Sequence, residues 1–142
     1  MKSGEHWLLA RFPPDMVKVL VVEDNPANMT LATFLLESVG HKVLKATDAE
    51  TGLALAGSEQ PDLILMDIQL PGMDGLRATG LLKGDPKTSH IPVIALTALA
   101  MKGDEERIRA AGCDGYIAKP LSYKEFLATI TAQLEKSTPV IS

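Results

Sequence analysis

Five polar side chains stand directly after short apolar runs: Glu23 and Asp24 after VLVV, Asp67 after LILM, Thr97 after VIAL and Lys119 after GYIA. If those runs are neighbouring strands, the five residues meet on one rim. Singly, each has an ordinary explanation: a carboxylate capping a turn, a hydroxyl bonding a carbonyl, an ammonium in solvent. Together they do not. Three carboxylates a few ångströms apart repel one another, and only a proton or a cation compensates them. The available ligands are all oxygens, with no histidine or thiolate at the rim, which selects a hard ion such as Mg2+ over zinc. A carboxylate can attack phosphorus to form an acyl phosphate, a reaction that needs a metal, a cationic donor and a hydroxyl around the transferred oxygens. On this reading Asp67 is the nucleophile. Asp24, Asp67 and the Gln69 backbone carbonyl hold Mg2+, Glu23 assists through water, Lys119 supplies the ammonium and Thr97 the hydroxyl.

The elements that must position these groups follow from periodicity. From Met16 onward, apolar runs at 17–22, 42–46, 63–66, 93–96 and 115–118 alternate with segments of helical period, the pattern of repeated βα units and a parallel sheet. Strands covered on both faces are continuously apolar, so the first, third and fourth runs are central and the second and fifth are edges. The first helix should start at Pro26 and stop at Gly40, with Leu31, Leu35, Leu36 and Val39 on one stripe. Asp48 can cap the second, which carries Leu53, Leu55 and Ala56. The third spans 75–83 despite Gly80, and the fourth spans 100–111 and stops at Gly112. Ser122 and Glu125 open the fifth, whose apolar face is Phe126, Leu127, Ile130 and Leu134. Crossovers of this kind are right-handed, giving an open doubly wound sheet with its ligands beyond the carboxyl ends of the strands.

Composition narrows the function. The chain has 142 residues, a net charge of −4 and dispersed Lys and Arg, so no basic stripe is available for nucleic acid. Its single cysteine, Cys113, can form no internal disulfide, which fits a reducing cytoplasm. Residues 1–15 read as a flexible or loosely packed extension before a domain at 16–136, followed by a tail at 137–142. The apolar piece at 7–10 is too short for a signal or a membrane span. Trp7, Leu8, Leu9 and Phe12 also fit an amphipathic anchor for a partner or for the domain's own surface.

The strings VLVVEDNPAN, PDLILMDIQLPGMDG, IPVIALTA and GYIAKP, in this order and spacing, resemble the consecutive signatures of the response regulator receiver family. The resemblance spans 16–134 and is closest to stand-alone single-domain receivers. It implies a flavodoxin-like, doubly wound five-stranded parallel sheet, order 2-1-3-4-5, with five helices. It also implies a phosphoacceptor switch, not an enzyme acting on a separate substrate, in which Asp67 takes a phosphoryl group from a phosphohistidine on a histidine kinase or histidine phosphotransfer protein. The site would catalyse its own phosphorylation and dephosphorylation. Thr97 would then bond the phosphoryl group and Tyr116 turn inward, reshaping the surface of the fourth helix, fifth strand and fifth helix for a downstream protein target. The Lys119–Pro120 bond should be cis. The phosphodonor would dock on Asn25, Pro26, Asn28, Met29 and Ala32, and Pro71, Gly72 and Gly75 would form a turn with positive-φ positions. Gln69 and Leu99 occupy positions that resemble those tuning the phosphate lifetime. The protein would be a monomer, with pairing of phosphorylated copies left open, and would bind neither nucleic acid nor membrane.

Other readings fit less well. A haloacid dehalogenase-like phosphatase would carry a second acid where Gln69 stands. A flavin nucleotide would be repelled by the acidic EDNPAN loop, and the GxxxxGK[ST] loop of a GTPase is absent. A receiver fragment of a larger regulator or hybrid histidine kinase, or a phosphorylation-independent adaptor, is the remaining alternative.

Overall fold

Three helices begin in the same way. The side chains of Asn25, Asp48 and Asp74 accept the backbone N–H groups of Asn28, Thr51 and Arg77, which satisfies donors that a helix start leaves open. In the computed structural model, which describes residues 17–98 and 102–137, these caps open α1 (Pro26–Ser38), α2 (Ala49–Glu59) and α3 (Gly75–Gly84). The helices α4 (Lys102–Ala110) and α5 (Tyr123–Ser137) complete the set. They alternate with β1 (Lys18–Val22), β2 (Lys42–Ala46), β3 (Leu63–Asp67), β4 (Val93–Thr97) and β5 (Gly115–Ala118). All neighbours pair in parallel in the order β2-β1-β3-β4-β5, as expected from the sequence. Gly40 and Gly112 take φ of 92° and 108° where the first and fourth helices stop, conformations costly for residues with a Cβ.

The period of two along each strand divides the core into two layers. Leu20, Val22, Ile64, Met66, Val93 and Ala95 face one way, against α2, α3 and Ile108 of α4. Val19, Val21, Leu63, Leu65, Ile94 and Leu96 face the other, against α1 and α5. Phe126, Ile130, Leu127 and Leu134 carry the α5 side of that second layer. Phe126 is fully buried, and truncation of such a residue to alanine costs about 3–5 kcal/mol.

One stripe differs from the sequence reading. On α1 the buried residues are Met29, Ala32, Leu35 and Leu36, whereas Leu31 and Val39 are exposed. The helix is apolar nearly all round, so its period alone does not choose the face that packs. The sheet chooses it.

Candidate functional site

Alternation carries the site to the end of the strands. Val19 and Val21, Leu63 and Leu65, and Ile117 line the same core layer, and Glu23, Asp67 and Lys119 continue these rows by one more step of two. The Glu23 N–H still bonds the Ala46 carbonyl, so the ladder holds its backbone past the end of β1. Asp67 and Thr97 are the last residues of their strands, not the first after them.

The Lys119 ammonium lies 3.0 Å from Glu23 Oε1 and 3.1 Å from Asp67 Oδ2, and its side chain is 14% exposed. Asp67 Oδ1 accepts the Gln69 N–H at 2.9 Å, and Glu23 Oε2 accepts the Asn25 N–H at 3.1 Å. Both Asp67 oxygens are therefore held in fixed directions. Asp24 is exposed at the mouth, and the ligand atoms of Glu23, Asp24 and Asp67 all lie within 4.8 Å of one another. Burial, with Asp67 adding to it, raises the Glu23 carboxyl above its usual range, although Lys119 and the Asn25 N–H pull the other way. Burial alone would lower Lys119. Its contacts with Glu23 and the charge of Asp67 outweigh that and raise it, so the ammonium stays charged at neutral pH. One ammonium does not balance three carboxylates, and the all-oxygen donor set suits a hard divalent cation.

Gly75, at the start of α3, sits where a Cβ would come within 2.2 Å of the Asp67 carbonyl oxygen. Its φ is not positive, so close approach of the helix to β3 requires glycine there, contrary to the expectation of a φ > 0 position. Gly72, with φ 75°, does meet that expectation. The Lys119–Pro120 bond is cis, as the resemblance implied. Thr97 is fully buried. Tyr116 pairs with Ala95 and Thr97 with Ala118, so Thr97 and Tyr116 share one face of the sheet. The ring of Tyr116 is partly buried, and its hydroxyl donates to Glu105 of α4 at 3.3 Å.

The expected docking residues divide into two groups. Asn25, Pro26 and Asn28 line the accessible start of α1, with Asn25 spending its side chain on the cap. Met29 and Ala32 are corrected: they are buried in the second core layer and offer a partner almost no surface. Sequence reasoning missed the exposed apolar pair on that helix, Leu31 and Phe34, the latter 67% exposed. Placing Met29 and Ala32 on the inner face would have revealed it. Leu99 lies outside the described residues.

With the strand-end cluster and the 2-1-3-4-5 sheet in place, comparison with known proteins is decisive. Residues 19–131 match the response regulator receiver domain. The chain belongs to that family. This receiver is 52% identical over 116 residues to the polar-differentiation response regulator DivK of Brucella anthropi, a match covering 82% of the chain and 94% of the relative. A solved receiver domain of the sensor histidine kinase PA1611 from Pseudomonas aeruginosa, with a magnesium ion coordinated in its active-site cleft, is 35% identical with a TM-score of 0.78, covering 84% of this chain and 98% of that one. A response regulator structure from Chloroflexus aurantiacus superposes with a TM-score of 0.81 at 26% identity, covering 85% and 99% of the two chains. The chain is thus the receiver domain of a DivK-like response regulator in two-component signalling. Among the described residues no helix is long and apolar enough to cross a membrane.

Proposed function

We propose that this receiver accepts a phosphoryl group on Asp67 from a phosphohistidine of a histidine kinase or histidine phosphotransfer protein. A carboxylate oxygen of Asp67 attacks phosphorus, the nitrogen–phosphorus bond breaks, and the donor imidazole leaves with the electron pair. Lys119 moves from pairing with the carboxylate to pairing with the new phosphoryl oxygens, and Thr97 donates its hydroxyl to another. Asp24, Asp67, the Gln69 carbonyl and, through water, Glu23 would hold Mg2+. When bound, the ion neutralises the crowded carboxylates and offers positive charge to the phosphoryl oxygens. The observation that carries this reading is the Lys119 ammonium held between two buried carboxylates, with a third at the mouth.

The start of α1, with Asn25, Pro26 and Asn28 beside the exposed Leu31 and Phe34, is the surface offered to the phosphodonor. The output runs through Thr97 and Tyr116, on the sheet face that α4 covers, to the surface formed by α4, β5 and α5. Drawing Thr97 toward the phosphoryl group opens space for the Tyr116 ring, which then leaves Glu105 and alters that surface for a protein target. Incubation with acetyl phosphate and Mg2+ should label the unaltered protein, and a chelator should abolish labelling. Label retained by Asp67→Ala would overturn the proposal.

A further inference from the structure

The glycines on the outer side of α2 and α3 have a common feature. At Gly57, Gly80 and Gly84 an added Cβ would find no other group within 4 Å. Together with the half-buried Leu53 and the exposed Leu81 they border a groove of about 540 Å³ between the two helices. That volume lies in the range of about 300–1,000 Å³ typical of ligand clefts. Asp85 stands exposed at its mouth. The groove lies in the C-terminal halves of α2 and α3, at the end of the sheet opposite Asp67.

The chain enters β1 at that same end. The Lys18 ammonium bonds the Glu59 carbonyl, the last residue of α2, at 3.0 Å, and Gln60 ties Gly57 to the Lys87 carbonyl beside Asp85 through its side-chain amide. Val17, where the described residues begin, therefore stands at the groove's end of the domain. The sequence before Val17 includes a cluster without a role in the phosphoryl site: Trp7, Leu8, Leu9 and Phe12, with Arg11 among them and Pro13–Pro14 following. Four residues lie between Phe12 and Val17, and the five steps from one to the other span up to about 17 Å, comparable to the length of an eleven-residue helix, about 16 Å. Two consecutive prolines stiffen such a leash and reduce the entropy lost when it is held.

We propose that residues 7–12 dock in the α2–α3 groove of their own chain. The aromatic and leucine side chains fill the space above the glycines against Leu53 and Leu81, and Arg11 faces Asp85. The strap covers the only exposed leucine of α3 and clamps α2 to α3 at the end of the domain away from the phosphoacceptor.

Trp7 is the only tryptophan in the chain, so its fluorescence reports the docking directly. In the unaltered 142-residue chain its emission should be blue-shifted, and acrylamide should quench it severalfold less than free indole. Gly80→Leu fills the groove from within and should restore free-indole quenching, with the fold verified by circular dichroism. Leu81→Arg, which removes an apolar wall and repels Arg11, should act in the same direction from the surface. Free-indole behaviour in the unaltered chain would overturn the proposal, as would shielding that survives both variants. Shielding lost on dilution would assign the groove to the segment of a second copy and overturn it equally.

Discussion

The two ends of the same sheet hold acids and lysines in different proportions. At the amino ends of the strands each acid has its own partners: Asp114 accepts from the Lys83 ammonium at 3.0 Å and the Val93 N–H at 2.8 Å. Asp62 there accepts the Lys18 N–H, while the Lys18 ammonium faces Glu59 at 3.8 Å. At the carboxyl ends, Glu23 and Asp67 share the Lys119 ammonium, and Asp24 stands beside them as a third carboxylate. The first arrangement is balanced and tethers strand starts. The second carries excess negative charge in a partly dry site, which stabilises the fold poorly but creates affinity for a cation and an electrophile. Similar residue types thus serve structure or chemistry according to whether their charges are matched.

Exchanging a lysine at each end is the sharpest way to test this contrast. Lys119→Ala should slow phosphoryl incorporation from acetyl phosphate about a hundredfold, whereas Lys83→Ala should leave it unchanged. Equal slowing in both would break the distinction. Glycine replacements come next. Gly75→Ala drives a methyl into the Asp67 backbone and should cost about 3 kcal/mol in denaturant unfolding, together with slower labelling. Gly112→Ala, whose Cβ presses on the flexible Lys83 side chain and touches Thr79 Cγ2 at an ordinary contact distance but whose φ is 108°, should cost about 1 kcal/mol and spare labelling.

Neutralising one acid at each end should act with opposite sign. Without metal, Glu23→Gln should stabilise the protein at neutral pH by about 1 kcal/mol, because it relieves carboxylate crowding, while Asp114→Asn should destabilise it by about 1 kcal/mol. The pH dependence gives a further check. Glu23 is raised in the folded state, so its contribution is full below its unfolded value of about 4.3 and is lost as pH rises through the folded value. The metal-free melting temperature should therefore show a decline above about pH 4.3 that Glu23→Gln removes. The smallest effect belongs to His41 at the amino end. Burial lowers its pKa, against the opposing charge of Asp62. The unfolded chain then takes up the proton first, so stability should fall as pH drops through about 6.5, and His41→Gln should flatten that slope in thermal melts.

Most of the site was legible because strand ends are marked in sequence: a run of Val, Ile and Leu stops at a polar residue, and a parallel sheet brings all such stops to one rim. The helix α1 was less legible. Its period puts Leu31 on one stripe with Leu35 and Leu36, and the resemblance puts Met29 and Ala32 against a partner, whereas the fold buries Met29 and Ala32 and leaves Leu31 and Phe34 exposed. The Gln60 bridge to Lys87 and the Tyr116 contact with Glu105 carry no local signature, because each joins segments brought together only by the fold.

By itself, then, the sequence determined the alternation of strands and helices, the sheet order by its resemblance to receivers, and which residues stand at the strand ends, since these follow from period and motif. Tertiary structure alone decided that Lys119 reaches both Glu23 and Asp67, that Gly75 is required by contact instead of conformation, and which face of α1 meets solvent. These depend on distances between elements, which the packing of two core layers against one twisted sheet sets and no local pattern encodes.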